Sequence, residues 1–596
     1  MKYFYQVIAP CFILLVSACS QGESTQPVAP VVQISSGSVQ GVIRTYTPAP
    51  SSDNAPTSAY SVHEYRGIPY ALPPTGNRRW ALPEPVKSLG SGVFKAYEFG
   101  PACPQNPRAG SPEKYVNEDC LSLNITTPTD LKAGEKLPVF FWIHGGAFVG
   151  GSSNLYRLDK LAHEGRLIVV SVNYRLGALG FMPNPAFAAN GYNGNYGLED
   201  QRLAMKWVQD NIAAFGGDPS NVTIAGESAG AGSVCMHLAS PDQVVAQSQV
   251  KVKDLFHKAI VQSAGCMSKL PTVTEGEAKA GASIQGNLCP NSTHKTNAEV
   301  LACMRAQSTE TILAQQEIYT AANPTDVTSI SPVIGGNTVP LSFRDAAAQN
   351  KLVNVPLIMG GTKSELVLYV GYFWQDSQRA ENPGPPINRL TINRWLESFY
   401  NPLPVGGIDA IKRQYPNLSN ADSNIVAETF GEVLSDYNPR LGITNCNYLN
   451  SSDTILRTPS RAFPIYQFEF ADPNALVCGV GIGDPCPPFD MGPVHSSELN
   501  YLFPNLSFTS KINAPNLSPT SQALANQMVA YWANLAYIGT PNKAGLPTWP
   551  TYTGKTQRYG GASVLRFEPG KVQAMNSDYA HQCSAFWTTQ YPNELN

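Results

Sequence analysis

Short, unbroken apolar runs separated by longer mixed segments set the pattern of this chain. The clearest are LPVFFWIHGGAF (137–148), RLIVVSVNYR (166–175), NVTIAGES (221–228), KAIVQSAG (258–265) and VPLIMGGTKSE (355–365). Each is rich in Val and Ile or in aromatic residues, without the alternation of a half-exposed strand. Each is therefore predicted as a strand covered on both faces. Between the second and third, EDQRLAMKWVQDNIAAFG (199–216) clusters Leu203, Met205, Trp207, Val208, Ile212 and Phe215 on one side of a helix, which Gly216-Gly217 stops. SQALANQMVAYWANLAYIG (521–539) reads as another helix. Trp142 and Trp207 fall among core positions. Strands alternating with helices predict an α/β chain with a mostly parallel central sheet and helices on both faces. In such sheets, sites form beyond the carboxyl ends of the strands.

Composition agrees. With 596 residues, 43% hydrophobic and 14% charged, the chain can bury a large core. A net charge of −3 with no basic run excludes a nucleic-acid footprint. The 49 Gly and 49 Pro follow no period, which means many turns rather than collagen or a disordered tract.

The first residues read differently from the rest. MKYFYQVIAPCFILLVSACSQG has one Lys, an apolar stretch and small residues before Cys19, the pattern of an export signal over 1–18. Val16-Ser17-Ala18-Cys19 resembles the bacterial lipobox, which implies cleavage before Cys19 and diacylation of its thiol. An ordinary signal peptide cut near the same place is the plainer alternative and would leave a secreted protein. Residues 19–30 suit a polar tether, and 31–596 are expected to form one catalytic domain. No later run is long enough to span a membrane. The expected location is the bacterial cell envelope, with membrane contact through the anchor at Cys19.

Export permits disulfides. Local spacing suggests Cys103 with Cys120, Cys289 with Cys303, and Cys478 with Cys486, although spacing alone does not determine connectivity. It leaves Cys235, Cys266, Cys446 and Cys583 unassigned. No cysteine has a C-x-x-C partner, which argues against zinc.

VTIAGESAGAGS (222–233) holds the candidate chemistry. A strand end, a turn flanked by Gly226 and Gly230, and a helix start make the G-x-S-x-G nucleophile elbow, with Ser228 exposed at the helix N-terminus. A serine needs a base to take its proton. Of the eight His, the base should follow the serine in the chain on this architecture. His237 lies about 13 Å along the same helix, out of reach. His257, His294 and His581 sit in less suitable surroundings. His495 follows a Gly-Pro turn that could carry its ring over the strand ends, which makes it the favourite. The orienting carboxylate is read as Glu365, directly after a strand. Asp490 would need an awkward fold-back. Gly145 and Gly146, with the Ala229 N–H, supply bare backbone donors for an oxyanion hole.

These residues sit among landmarks: RGIPYALPP (66–74), NEDCLSLNI (117–125), FWIHGGAF (141–148), VNYRLGALGF (172–181), the long segment 194–230 and HSSELNYLF (495–503). With them the chain resembles the type-B carboxylesterases, the family shared by cholinesterases, certain fungal lipases and the non-catalytic neuroligins. The resemblance runs from about Val39 to Trp549. It implies an α/β-hydrolase fold, the triad Ser228, Glu365 and His495, oxyanion donors at Gly145, Gly146 and Ala229, and disulfides Cys103–Cys120 and Cys289–Cys303. It also places Glu227 near the histidine, and Glu498 is left open between a structural and a functional role. Residues 104–119 contain no Trp, where cholinesterases carry the one that binds choline. The expected activity is a serine carboxylic-ester hydrolase that acts through an acyl-enzyme on small uncharged esters, with no metal or cofactor. The alternatives are a lipase for longer-chain acylglycerols and an anchored surface binding protein that uses the same fold.

Overall fold

A computed structural model describes residues 27–47, 58–106, 116–188, 191–292, 295–322, 330–379, 383–477, 485–506, 516–554 and 564–595. Cys19, the signal segment and Cys478 lie outside the described residues.

The strands are β1 (Val28–Ile34), β2 (Gly37–Tyr46), β3 (Tyr60–Pro69), β4 (Val93–Lys95), β5 (Ser122–Pro128), β6 (Leu137–Ile143), β7 (Ile168–Val172), β8 (Gly217–Glu227), β9 (Lys258–Gln262), β10 (Leu357–Thr362), β11 (Ile465–Phe470), β12 (Val564–Phe567) and β13 (Gln573–Met575). They form one sheet in the order β1-β2-β3-β5-β7-β6-β8-β9-β10-β11-β12-β13, with β4 added on β2. From β7 to β12 every neighbouring pair is parallel. The pairs from β1 through β5 to β7 and the β12–β13 pair are antiparallel. The five apolar runs are therefore the middle of the sheet. They are continuous because successive side chains enter two different cores. In β6, Val139, Phe141 and Ile143 pack into one cluster, and Phe140 and Trp142 pack into the other.

Each predicted helix covers one of these faces. The helix Tyr196–Asn211 puts Leu203, Met205, Trp207 and Val208 on the first cluster. It runs into a short 3₁₀ turn and stops at Gly216, whose φ of 83° is left-handed. The helix Pro519–Ile538 covers the second cluster with Leu524, Met528, Trp532 and Leu535, and ends at Gly539 with φ 75°. Full burial of a large apolar side chain stabilises by about 1.5–3 kcal/mol, so each of these faces adds several such contributions.

Cys103–Cys120 and Cys289–Cys303 are bonded. The cysteines that spacing left unassigned form two more bonds, Cys235–Cys266 and Cys446–Cys583. Cys486 is also disulfide-bonded. The 137-residue separation of Cys446 and Cys583 hid that pair from local reading. Closing a loop that long removes unfolded-state entropy worth about 4–5 kcal/mol in the chain-entropy view. Disulfides of this number fit an exported protein.

Candidate active site

The loops after β6, β8 and β10 converge at the carboxyl ends of the central strands, and the chain that returns from β11 meets them there.

After β8 the backbone reverses at Ser228, with φ 55° and ψ −124°, and the helix Ala229–Leu238 begins. A non-glycine residue at such angles costs roughly 1–3 kcal/mol. Two bonds over-determine it: the Ser228 N–H donates to Gln262 O at 2.9 Å, and the Gly232 N–H donates to Ser228 O at 2.9 Å. The flanking glycines are steric necessities. A Cβ on Gly226 would collide with the Gly230 backbone, and one on Gly230 would collide with Ile143 O. The pattern G-x-S-x-G is thus the cost of passing helix and strand through one point.

The loop after β6 lies against this turn. A Cβ on Gly145 would sit 3.0 Å from the Ser228 Cβ and 2.8 Å from Glu227 Oε2. Gly146, Ala147 and Phe148 follow with φ of 114°, 55° and 61°. The N–H groups of Gly146, Ala147 and Ala229 have no acceptor among the described residues, whereas the Gly145 N–H donates to the Tyr156 hydroxyl oxygen. The sequence reading missed Ala147, because only the glycines there signalled unusual backbone. His144 braces the loop. Its Nδ1 lies 2.8 Å from Gly145 O, its carbonyl accepts from Tyr174 Oη at 2.7 Å, and its ring stacks on Tyr174. Burial pulls this imidazole down to about 4, so it stays neutral.

Glu365 follows β10 and is fully buried. Its Oε2 lies 2.7 Å from His495 Nδ1, and its carbonyl accepts the His495 N–H at 3.2 Å. Its Oε1 accepts from the Thr362 N–H and the Tyr448 hydroxyl, each at 2.8 Å. On the other side of the ring, His495 Nε2 is 3.2 Å from Glu227 Oε1, which also accepts from Ser496 Oγ at 2.6 Å. Nε2 is therefore turned to Glu227 rather than to the Ser228 hydroxyl, which makes no hydrogen bond among the described residues. Such contacts often tighten only with substrate bound.

A third carboxylate completes the surroundings. Glu498 is fully buried and accepts from Gln262 Nε2 at 3.0 Å, while Gln262 Oε1 accepts from Trp532 Nε1 at 2.9 Å. Burial, Glu227 and Glu365 push Glu498 up to about 8. Burial also raises Glu227. For His495, burial works downward, but Glu227, Glu365 and Glu498 outweigh it and raise the imidazole to about 9. Glu498 and Ser496 were legible only as neighbours of His495 in HSSEL.

The other histidines that follow Ser228 and are described are occupied elsewhere. His237 Nε2 bonds Gln201, and His257 Nδ1 accepts the Val222 N–H. His581 is held between Asp436 and Glu469 at 2.5 and 2.6 Å. His294 lies outside the described residues.

A general base works unprotonated, so in that expected role a raised His495 has a definite consequence. Activity falls as pH drops through its folded value, and kcat/KM should still be rising between pH 7 and 9. Glu227→Gln removes the charge beside Nε2 and should move this acid limb down by about one unit. A wild-type limb at or below the ordinary 6.5, or no movement in the variant, would contradict the assignment.

Comparisons with known proteins place the chain in a family. The family model described as the carboxylesterase family matches residues 28–587. The fumonisin B1 esterase of Sphingopyxis macrogoltabida is 31% identical over 88% of this chain and 86% of its own length. The acetylcholinesterase of Bungarus fasciatus is 30% identical over 90% and 84%, and the acylcarnitine hydrolase of Mus musculus is 28% identical over 98% and 95%. With that coverage and an α/β-hydrolase sheet, this chain belongs to the carboxylesterase family and hydrolyses carboxylic esters.

Proposed function

We propose that Ser228, His495 and Glu365 carry this hydrolysis through an acyl-enzyme, on small uncharged esters. The observation that carries the reading is the 2.7 Å contact of His495 Nδ1 with Glu365 Oε2, beside a serine on a strained turn. His495 Nε2 leaves Glu227 and takes the Ser228 proton as Oγ attacks the ester carbonyl. The oxyanion is held by the N–H groups of Gly146, Ala147 and Ala229, since that of Gly145 is taken by the Tyr156 hydroxyl; one such donor is typically worth roughly 100- to 1000-fold. The imidazolium then protonates the leaving alcohol. Water, deprotonated by the same ring, attacks the acyl-enzyme, releases the acid and restores Ser228. Glu227 and Glu365 flank one imidazole, and their charges disfavour a carboxylate on the substrate. Residues 104–119 offer no Trp to hold a quaternary ammonium. Both points favour an uncharged ester. The test is labelling by an organophosphate, expected at one per chain on Ser228 and absent in Ser228→Ala. Labelling that survives in the variant overturns the reading, as does a wild type that is not labelled.

The catalytic domain spans 31–596 in this reading and is held at the cell envelope by a diacylated Cys19. Its support is the sequence Val16-Ser17-Ala18-Cys19 and the polar stretch behind it. Metabolic labelling with a fatty acid should mark the wild type and not Cys19→Ala; equal labelling would refute the anchor.

A further inference from the structure

The carboxylate of Glu365 has two oxygens with different duties. Oε2 faces His495, and Oε1 points away from it, over Gly361. A Cβ on Gly361 would collide with Oε1 and with the Tyr448 ring, so this space exists only because the strand carries glycine there. Two donors fill it, the Thr362 N–H and the Tyr448 hydroxyl.

Tyr448 comes from a distant part of the chain. It lies on the helix Asn445–Leu456, whose buried face packs on β10. That helix is fastened at several points. Asn445 Nδ2 donates to Lys363 O at 3.1 Å, Cys446 is bonded to Cys583, and Tyr448 O accepts from Gln467 Nε2 at 3.0 Å. The phenol is thus fixed from behind. Burial and the adjacent Glu365 hold it far above its ordinary range, so it remains a donor at every working pH.

We propose that Tyr448 is a positioning residue for the ester hydrolysis. Its hydroxyl fixes the plane of the Glu365 carboxylate and draws charge from Oε2, which sets both the angle and the basicity of His495. This rests on the triad reading above. It adds a requirement that reading does not contain, a phenol behind the acid.

The experiment is Tyr448→Phe, Glu365→Gln and the double variant, with kcat expressed per site titrated by the organophosphate so that misfolded protein drops out. Phe keeps the ring over Gly361 and removes only the hydroxyl. A hydrogen bond to a charged group lost in this way should lower kcat about tenfold with KM little changed. Without the phenol, more charge rests on Oε2, the imidazolium is favoured, and the acid limb of kcat/KM should rise by a few tenths of a pH unit. In the Glu365→Gln background, Tyr448→Phe should add no further loss. Wild-type kcat with an unmoved limb, a limb that moves down, or a full tenfold loss in the Glu365→Gln background would each overturn the role. If Glu365→Gln itself turns over at the wild-type rate, the triad reading fails instead, and the two failures stay distinct.

Discussion

In Ser228→Ala, kcat for a short-chain aryl ester falls by roughly 10⁴- to 10⁶-fold, while the protein unfolds at the wild-type temperature within a few degrees. In the proposed mechanism the variant lacks the atom that forms the acyl bond. What remains is the oxyanion loop and binding, worth about 10³–10⁴ over water. The small stability effect follows from what Ser228 does in the fold. Its structural bonds are made by backbone, N–H to Gln262 O and carbonyl from the Gly232 N–H, and Ala retains both. Ala meets the same positive φ as Ser, so the strain of the turn is unchanged. Initial rates and a melting curve on the same preparation check both halves. Retained turnover would remove Ser228 from the chemistry. A collapsed melting temperature would mean that the hydroxyl has a structural partner.

Glu365→Gln should cost about 10⁴-fold in kcat, although the side chain is nearly unchanged in size. The two donors at Oε1 decide the outcome. Thr362 N–H and Tyr448 Oη–H both demand an oxygen at that position. The carboxamide oxygen must go there, which turns the NH₂ toward His495 Nδ1. Nδ1 is then an acceptor, the ring proton moves to Nε2, and Nε2 can no longer take a proton from Ser228. The lost charge also removes part of what supports the imidazolium, so the folded value of His495 drops, although Glu227 stays beside Nε2. Turnover should therefore be low at every pH, without recovery on the alkaline side. Recovery to near wild-type rates at high pH would show that charge alone mattered and that the tautomer argument is wrong.

Much of this was legible in the chain before any fold was seen. The runs around Val139, Val169, Ile224, Ile260 and Ile358 identify themselves as buried strands, because a strand between two helical layers has no polar face to show. The elbow is equally local. Gly226 and Gly230 are required by atoms within a few residues of Ser228 and by the adjacent β6, so they mark the turn wherever it lies. Other features left no local trace. The antiparallel strands β1, β2 and β3 alternate burial and exposure only weakly, and their Pro- and Gly-rich flanks resemble loops. Ala147 takes a left-handed φ without being glycine. Cys446 and Cys583 are 137 residues apart, and no spacing rule joins cysteines at that distance.

Sequence by itself determined the α/β class, the serine at a strand-to-helix turn, and the residue types that flank it. Each depends on periodicity or on backbone sterics between near neighbours. Only the tertiary structure decided how His495 is surrounded: Glu365 on one nitrogen, Glu227 on the other, Glu498 nearby, and Tyr448 behind the acid. Those residues come from the end of β8, from the loops after β10 and β11, and from a separate helix. Strand order and the packing of long excursions bring them within 3 Å or so of one another, and neither is written in the spacing of residues along the chain.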